Sequence, residues 1–318
     1  WQYALSITTG FSGSTSLKDW KMLVRLSETD VNGTGNRGFR YSQARSNGGD
    51  LRFLDKSGSE LNYEIARWNP TGESHVWVNI PTLKSDANIT MYWGNPSAGL
   101  PTYANDGSVW QDYFGVYHLD DSGSPGKDSS SYDNHLTATN SPLSVSNGMA
   151  GTAYKTDNTY NGFITSNLSG EIKAKEGTYN IWTKTGTDAI DWKDWFNLAY
   201  DNNESEVLRL GTDASTNPVA KAYFKRSPAD WQLTNTNDNA GTGNWQMLTL
   251  TLSKGLASVY IDGVLDGTTK FYFPGKKFIT GLSIGRGFVN NHGPNTTFDE
   301  ATFAKVGRSS EWISASYQ

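Results

Sequence analysis

Three short stretches place aromatic rings beside groups that bind hydroxyls: Asp191-Trp192-Lys193-Asp194-Trp195, Tyr223-Phe224-Lys225-Arg226 and Asp230-Trp231-Gln232. Sugar rings stack their apolar C–H faces on Trp and Tyr, while their hydroxyls need amide, carboxylate or Arg partners, so a saccharide cleft mixes both kinds of side chain. If they line one face, Trp192, Trp195, Trp231, Arg209 and Arg226 make a glycan platform. The competing assignment is the core, because Trp is highly buried on average.

Other chemistries find less support. Glycoside cleavage needs two carboxylates flanking the scissile bond, about 5 to 9 Å apart. Asn203-Glu204-Ser205-Glu206-Val207 puts two Glu at i and i+2, on one face of a strand. No His-Glu-x-x-His word, Gly-x-Ser-x-Gly elbow or phosphate loop occurs. His118, one of four His, reads as a strand-end residue hydrogen-bonded within the core rather than a base or a ligand. The chain has no Cys, which excludes disulfides and thiolate metal sites. A net charge of -5 comes from interspersed residues, so nucleic acid is not an expected partner. No apolar run approaches the roughly 20 residues that span a bilayer, so membrane insertion is not expected. The chain opens at Trp1 without a charged and then apolar leader, and reads as a mature or excised segment of a larger protein.

The elements that would position these residues are strands. Aromatic residues make up 13% of the chain and Gly numbers 33, with alternation recurring at short spacing, which favours a sandwich or barrel. Residues 244 to 267 alternate with period two: Leu248, Leu250 and Leu252 share one face, then Ala257, Val259 and Ile261. Lys254-Gly255 turns the first strand back, and Asp262-Gly263 suits a type I′ turn, so three antiparallel strands follow one another. Upstream, strands are expected at 1–7, 22–26, 51–54, 63–68, 76–80 and 89–93, separated by Gly- and Asn-rich turns such as Asn32-Gly33 and Ser57-Gly58. Pro96, Pro101 and Asn105-Asp106-Gly107 then break the pattern. The expected organisation is a domain over 1–98, a junction over 99–112 and a second domain over 113–318.

Two resemblances sharpen this organisation. GDLRFLDKSGSELNYEIARWNPTGESHVWVNIPTL (49–83) with ITMYWGNPSA (89–98) resembles a bacterial domain of unknown function that commonly precedes a laminin-G-like jelly roll. That family lends no activity; its members occur in large surface or secreted proteins, some tied to proton-channel-driven envelope systems. Trp245, Tyr260-Ile261-Asp262-Gly263 and Leu282-Ser283-Ile284-Gly285 resemble the laminin-G-like, concanavalin A-like jelly roll itself. So do His118-Leu119 with its following polar loop, and the closing Phe298-Asp299-Glu300 with Arg308-Ser309-Ser310-Glu311-Trp312-Ile313. In the closing word Ser309 can cap a terminal helix, with Glu311 in its first turn.

The resemblances imply an all-β fold, a small N-terminal β-sandwich followed by a concanavalin A-like jelly-roll sandwich. They also imply one structural calcium, with Asp299 as the carboxylate of the last strand and Asp128 as the acid of the opening loop, since calcium takes six to eight hard oxygens. The bland alternative is that Asp128 caps a turn and Asp299 pairs with a nearby cation. Catalytic relatives of the jelly roll carry a Glu-x-Asp-x-(x)-Glu word, and here Leu208 or Arg209 stands where the third acid would be. The expected function is therefore noncatalytic: an extracellular or cell-surface module pair that binds a polysaccharide or glycan, alongside other domains of a parent chain. A structural or protein-binding envelope module is the alternative, and a polysaccharide-cleaving enzyme a third.

Overall fold

Along Tyr3–Thr8 (β1) every second residue is exposed, as a strand with one wet face requires. The structure is a computed structural model describing residues 1–28, 38–120, 123–157, 161–173, 175–186, 193–200, 203–212, 219–227, 230–233, 238–271, 278–288 and 293–318. Within 203–207, 225–227 and 230–233 it describes the backbone. The chain divides into two units, Trp1–Gln111 and Asp112–Gln318.

In the first unit β1 is followed by Leu17–Leu26 (β2), Arg52–Asp55 (β3), Glu60–Leu61 (β4), Tyr63–Arg67 (β5), Ser74–Leu83 (β6) and Asn88–Trp93 (β7). They form two antiparallel sheets, ordered β1-β7-β3-β4 and β2-β6-β5. Phe53, Met91 and Trp93 of the one and Tyr63, Val76 and Val78 of the other are all buried, which makes the unit a small sandwich. Residues 99–111, read from the sequence as a junction, are part of this unit. Trp110 packs edge-on to Trp77 at 5.5 Å, and Tyr103 edge-on to Tyr63 at 5.5 Å.

The second unit begins with Tyr113–Tyr117 (β8), Thr137–Thr139 (β9), Leu143–Gly148 (β10), Gly151–Lys155 (β11), Gly162–Thr165 (β12) and Ile172–Lys173 (β13). It continues with Gly177–Thr185 (β14), Asp194–Tyr200 (β15), Asn203–Gly211 (β16), Lys221–Ser227 (β17) and Asp230–Leu233 (β18). Trp245–Ser253 (β19), Leu256–Ile261 (β20), Val264–Lys270 (β21), Phe278–Ile284 (β22), Thr296–Ala304 (β23) and the helix Ser310–Tyr317 (α1) complete it. One sheet runs β10-β11-β23-β14-β19-β20-β21, with β8 also on β23; the other runs β18-β17-β16-β15-β22-β12-β9, with β13 also on β22. Tyr179, Leu248, Leu250 and Phe303 of the first meet Phe196, Leu198, Leu208, Phe224 and Leu282 of the second in one core. The fold is all-β, two sandwiches with, among the described residues, one short α-helix near residue 318.

The hairpins form as the turn residues dictate. Lys254 and Gly255 (φ +51° and +76°) and Asp262 and Gly263 (φ +52° and +79°) occupy the left-handed region that a type I′ turn demands at both central positions. Gly263 is required twice over, because a Cβ there would lie 3.0 Å from Ser314 Cα on α1. Ser309 caps α1 by accepting from Trp312 N at 3.3 Å, and Trp312 and Ile313 are buried.

Candidate functional site

A single cross-strand row gives the second sheet of the second unit its chemistry. The registers pair Tyr223 with Arg209, Arg209 with Asn197, Asn197 with Ser283, and Ser283 with Ile164. The neighbouring row pairs Phe224 with Leu208, Leu208 with Leu198 and Leu198 with Leu282, and these point into the core. Strand side chains alternate, so Tyr223, Arg209, Asn197 and Ser283 stand on the opposite face. All four are buried. The Arg209 guanidinium lies 4.2 Å from the Tyr223 ring centre, and its Nη1 is 3.1 Å from Asp194 Oδ1. Asn197 Nδ2 and Ser283 Oγ both donate to the Arg286 carbonyl, at 3.0 and 2.7 Å, and Arg286 Nη1 donates to Thr139 Oγ1 at 2.9 Å. The row thus joins an aromatic ring, a guanidinium, a carboxylate and an amide, but at 0–4% exposure it is closed to direct stacking, and its chemistry is that of a buried polar support beneath the residues that cover this face.

Of the five residues proposed from sequence as a glycan platform, only Arg209 is seen on this face. Trp195 is corrected: it has 0% exposure, sits in the core and donates Nε1–H to Thr185 Oγ1 at 3.1 Å. Asp194 and Trp195 begin strand β15, and the register shift between Asp194 and Phe196 lets two successive rings, Trp195 and Phe196, enter the core. A ring with no accessible face cannot stack on a sugar. Trp192 lies outside the described residues, as do the side chains of Trp231, Arg226, Glu204 and Glu206. The backbone of Trp231 pairs with Lys225, two positions along β17 from Tyr223. Asn197 and Ser283 were not singled out from sequence, yet each carries a signal there: a polar residue flanked by apolar neighbours, Phe196 and Leu198 or Leu282 and Ile284.

The two acids expected to hold calcium both accept hydrogen bonds from backbone N–H groups. Asp128 is 2% exposed; its Oδ1 accepts from Val116 N (2.8 Å) and Ser130 N (2.9 Å), and its Oδ2 from Ser130 Oγ (2.6 Å) and Asn134 N (2.9 Å). Four donors use the capacity of a carboxylate, so Asp128 does not fit a calcium ligand and acts as the organiser of its loop. Asp299, fully buried, accepts from Ala150 N and Glu300 N, both at 2.9 Å. Burial, and then the neighbouring Glu300 charge, push its carboxyl well above the ordinary range. Among the described residues no group of three or more His, Cys, Asp or Glu is placed to hold a metal ion. His118 is buried beyond the end of β8, with Nδ1 2.8 Å from Glu300 Oε2.

Residues 47–133 match a family described as Domain of unknown function (DUF2341). No curated protein matches the chain. Domain 4 of AbnA, an extracellular arabinanase of Geobacillus stearothermophilus solved with arabinotriose, is similar at 16% identity and a TM-score of 0.53. The likeness covers 98% of that domain and 65% of this chain. The binding domain of Paraclostridial Mosquitocidal Protein 1 is similar at 11% identity and a TM-score of 0.52, over 65% of this chain and 52% of its own. The binding domain of botulinum neurotoxin serotype D, solved with N-acetylneuraminic acid, gives 14%, a TM-score of 0.51, and 65% and 50% coverage. The chain thus spans about half the length of the toxin domains. These likenesses concern the fold. Among the described residues no helix is long and apolar enough to cross a membrane.

Proposed function

We propose that the chain is a noncatalytic carbohydrate-binding module pair of a larger secreted or surface protein, with its glycan site over the sheet face that the buried row of Tyr223, Arg209, Asn197 and Ser283 supports, the sugar contacts coming from residues that cover that row. The observation behind this is the buried polar row itself. A sheet serving only as a scaffold is stabilised at least as well by apolar residues, because a buried Arg–carboxylate pair often contributes no more than hydrophobic residues of the same volume. Keeping an Arg209–Asp194 pair with its guanidinium against the Tyr223 ring therefore argues for a positioning role. The arabinotriose and N-acetylneuraminic acid held by two similarly folded domains support a saccharide as the ligand class.

The test is titration of the 318-residue protein with arabinotriose and N-acetylneuraminic acid, then a wider glycan array, in calcium and in chelator. Selective binding that is lost in a Trp192→Ala, Trp231→Ala double variant of unchanged melting temperature is the expected result. Silence across the array would overturn it.

A protein-binding role is the second reading, and one observation favours it. Val264 and Leu265 are 68% and 52% exposed on β21, which ends its sheet order. Exposed apolar residues on an edge strand are a template for pairing with another chain.

A further inference from the structure

The first unit holds a pocket of about 540 Å³ that the sheet face of the second unit does not involve. Gln2, Tyr3, Gln43, Arg45, Asp50 and Pro96 line it, with the small residues Ser42 and Ser46 between them. It opens where the start of β1, the 3₁₀ turn Tyr41–Gln43 and the loop after β7 converge.

The walls are built rather than accidental. Asp50 is 1% exposed; its Oδ1 accepts from Arg45 N at 2.8 Å, and its Oδ2 from Gly94 N at 2.8 Å and Asn95 N at 3.1 Å. Its carbonyl accepts from Trp1 Nε1 at 2.8 Å, so one buried residue ties three chain segments together. Gly94, at φ +82°, leaves no room for a side chain, since a Cβ would stand 2.6 Å from the Tyr3 ring. Tyr3 in turn stacks on Trp93 with centroids 5.6 Å apart and planes at 20°. Trp93 donates Nε1–H to Gln43 Oε1 at 3.2 Å, which fixes that amide and leaves its NH₂ as donor. Arg45 Nη1 donates to the Pro96 carbonyl, holding the opposite rim.

The lining selects the ligand's chemistry. The pocket's acid is committed to backbone N–H groups, so none remains for a metal ion or an amine. One guanidinium, itself partly engaged, is too little for a phosphate cluster. What is left is an aromatic ring, two amides, two hydroxyls and a guanidinium edge, in a volume within the ordinary range of small-ligand pockets, about 300–1,000 Å³. We infer that this pocket is a separate saccharide site, taking a polyhydroxylated ring of a short oligosaccharide against Tyr3, with Gln2, Gln43 and Arg45 as donors. It stands independently of the site proposed on the second unit.

The test uses the full chain labelled with ¹⁵N and titrated to roughly 10 mM, the weak end of specific affinity, with arabinotriose, xylotriose, cellotriose and a galacturonate trimer in turn. The backbone amides of Arg45, Gly94 and Asn95 and the Trp1 indole N–H report, because all four bond to Asp50 or its carbonyl. Saturable shifts at these signals with at least one trimer are expected. Ser42→Trp, at an exposed position on the rim, abolishes them, and Gln43→Ala weakens binding about tenfold, as loss of one hydrogen-bonding group does. If Ser42→Trp loses its folded spectrum, Gln2→Ala, also exposed, is read in its place and weakens binding. No shift with any trimer, shifts confined to residues 112–318, or shifts of unchanged affinity in the folded variants would overturn the assignment.

Discussion

Trp195 gives its ring to the core and its Nε1–H to Thr185, so Trp195→Ala removes a large buried volume together with a buried hydrogen bond. The expected loss is about 3–5 kcal/mol in urea unfolding; a loss below about 1 kcal/mol would return Trp195 to the surface. Asp128 is the second residue whose role turns on its partners. Asp128→Ala strands four donors at once, three of them backbone N–H groups, and about 3–5 kcal/mol is expected because a buried carboxylate network is broken from one side. Calcium does not restore that loss; a chelator-sensitive recovery of the variant's unfolding midpoint would show that a metal had been missed. Asp299 gives the third case. Its carboxyl, held well above the ordinary value of 3.8 chiefly by burial and then by Glu300, keeps in the folded state a proton the unfolded chain has already released. Stability is therefore greatest below the unfolded value and falls as pH rises toward the folded one, by at most about 1.4 kcal/mol per pH unit. Asp299→Asn flattens that slope. Unfolding free energies from pH 5 to 8 in chelator measure it, and equal slopes for the two proteins would count against a protonated Asp299.

At the scale of elements, the β20–β21 hairpin shows what local sequence can specify. Asp262-Gly263 adopts the type I′ turn its residues demand, and Gly263→Ala adds a strained positive φ to a close approach on α1. A loss of about 1–3 kcal/mol is expected, read as a lower melting temperature with weakened amide protection on β21 and α1. Full protection with an unchanged melting temperature would mean the turn relaxes without cost. Period-two alternation made β1, β7, β19 and β20 legible, because each depends on neighbours within a few residues, while α1 was expected from the resemblance of the closing word, with Ser309 as its cap. Short strands such as β9 and β13 were not legible, since three or two residues carry no period and owe their conformation to partners far along the chain. The same limit explains the site. Arg209 was picked out by type, but its companions Asn197 and Ser283 meet it only through registers that span β16, β15 and β22. The fate of Trp195 depended on a one-residue register shift, which reverses the facing of a side chain and leaves no mark in composition.

At the scale of the whole molecule, each unit has a core of its own. The large cluster of the second unit draws its residues from Phe114 to Phe303, while Phe53, Tyr63, Val76, Met91 and Trp93 fill the first. A unit of about 200 residues with a continuous core is long enough to fold without staples. Residues 112–318 expressed alone should therefore unfold in one cooperative transition, and should keep the affinity for arabinotriose or N-acetylneuraminic acid found for the full chain. Residues 1–111 alone carry every residue that lines the first-unit pocket, so any saccharide response there should survive the cut as well. The two fragments thus separate the two proposed sites by chain rather than by point substitution. A fragment 112–318 that folds but has lost the glycan binding of the full chain would place that binding outside the sheet face of Tyr223 and Arg209. If the lost binding reappears in residues 1–111, the saccharide contact of this protein belongs to its first unit, and the polar row of the second sheet is then a structural feature alone.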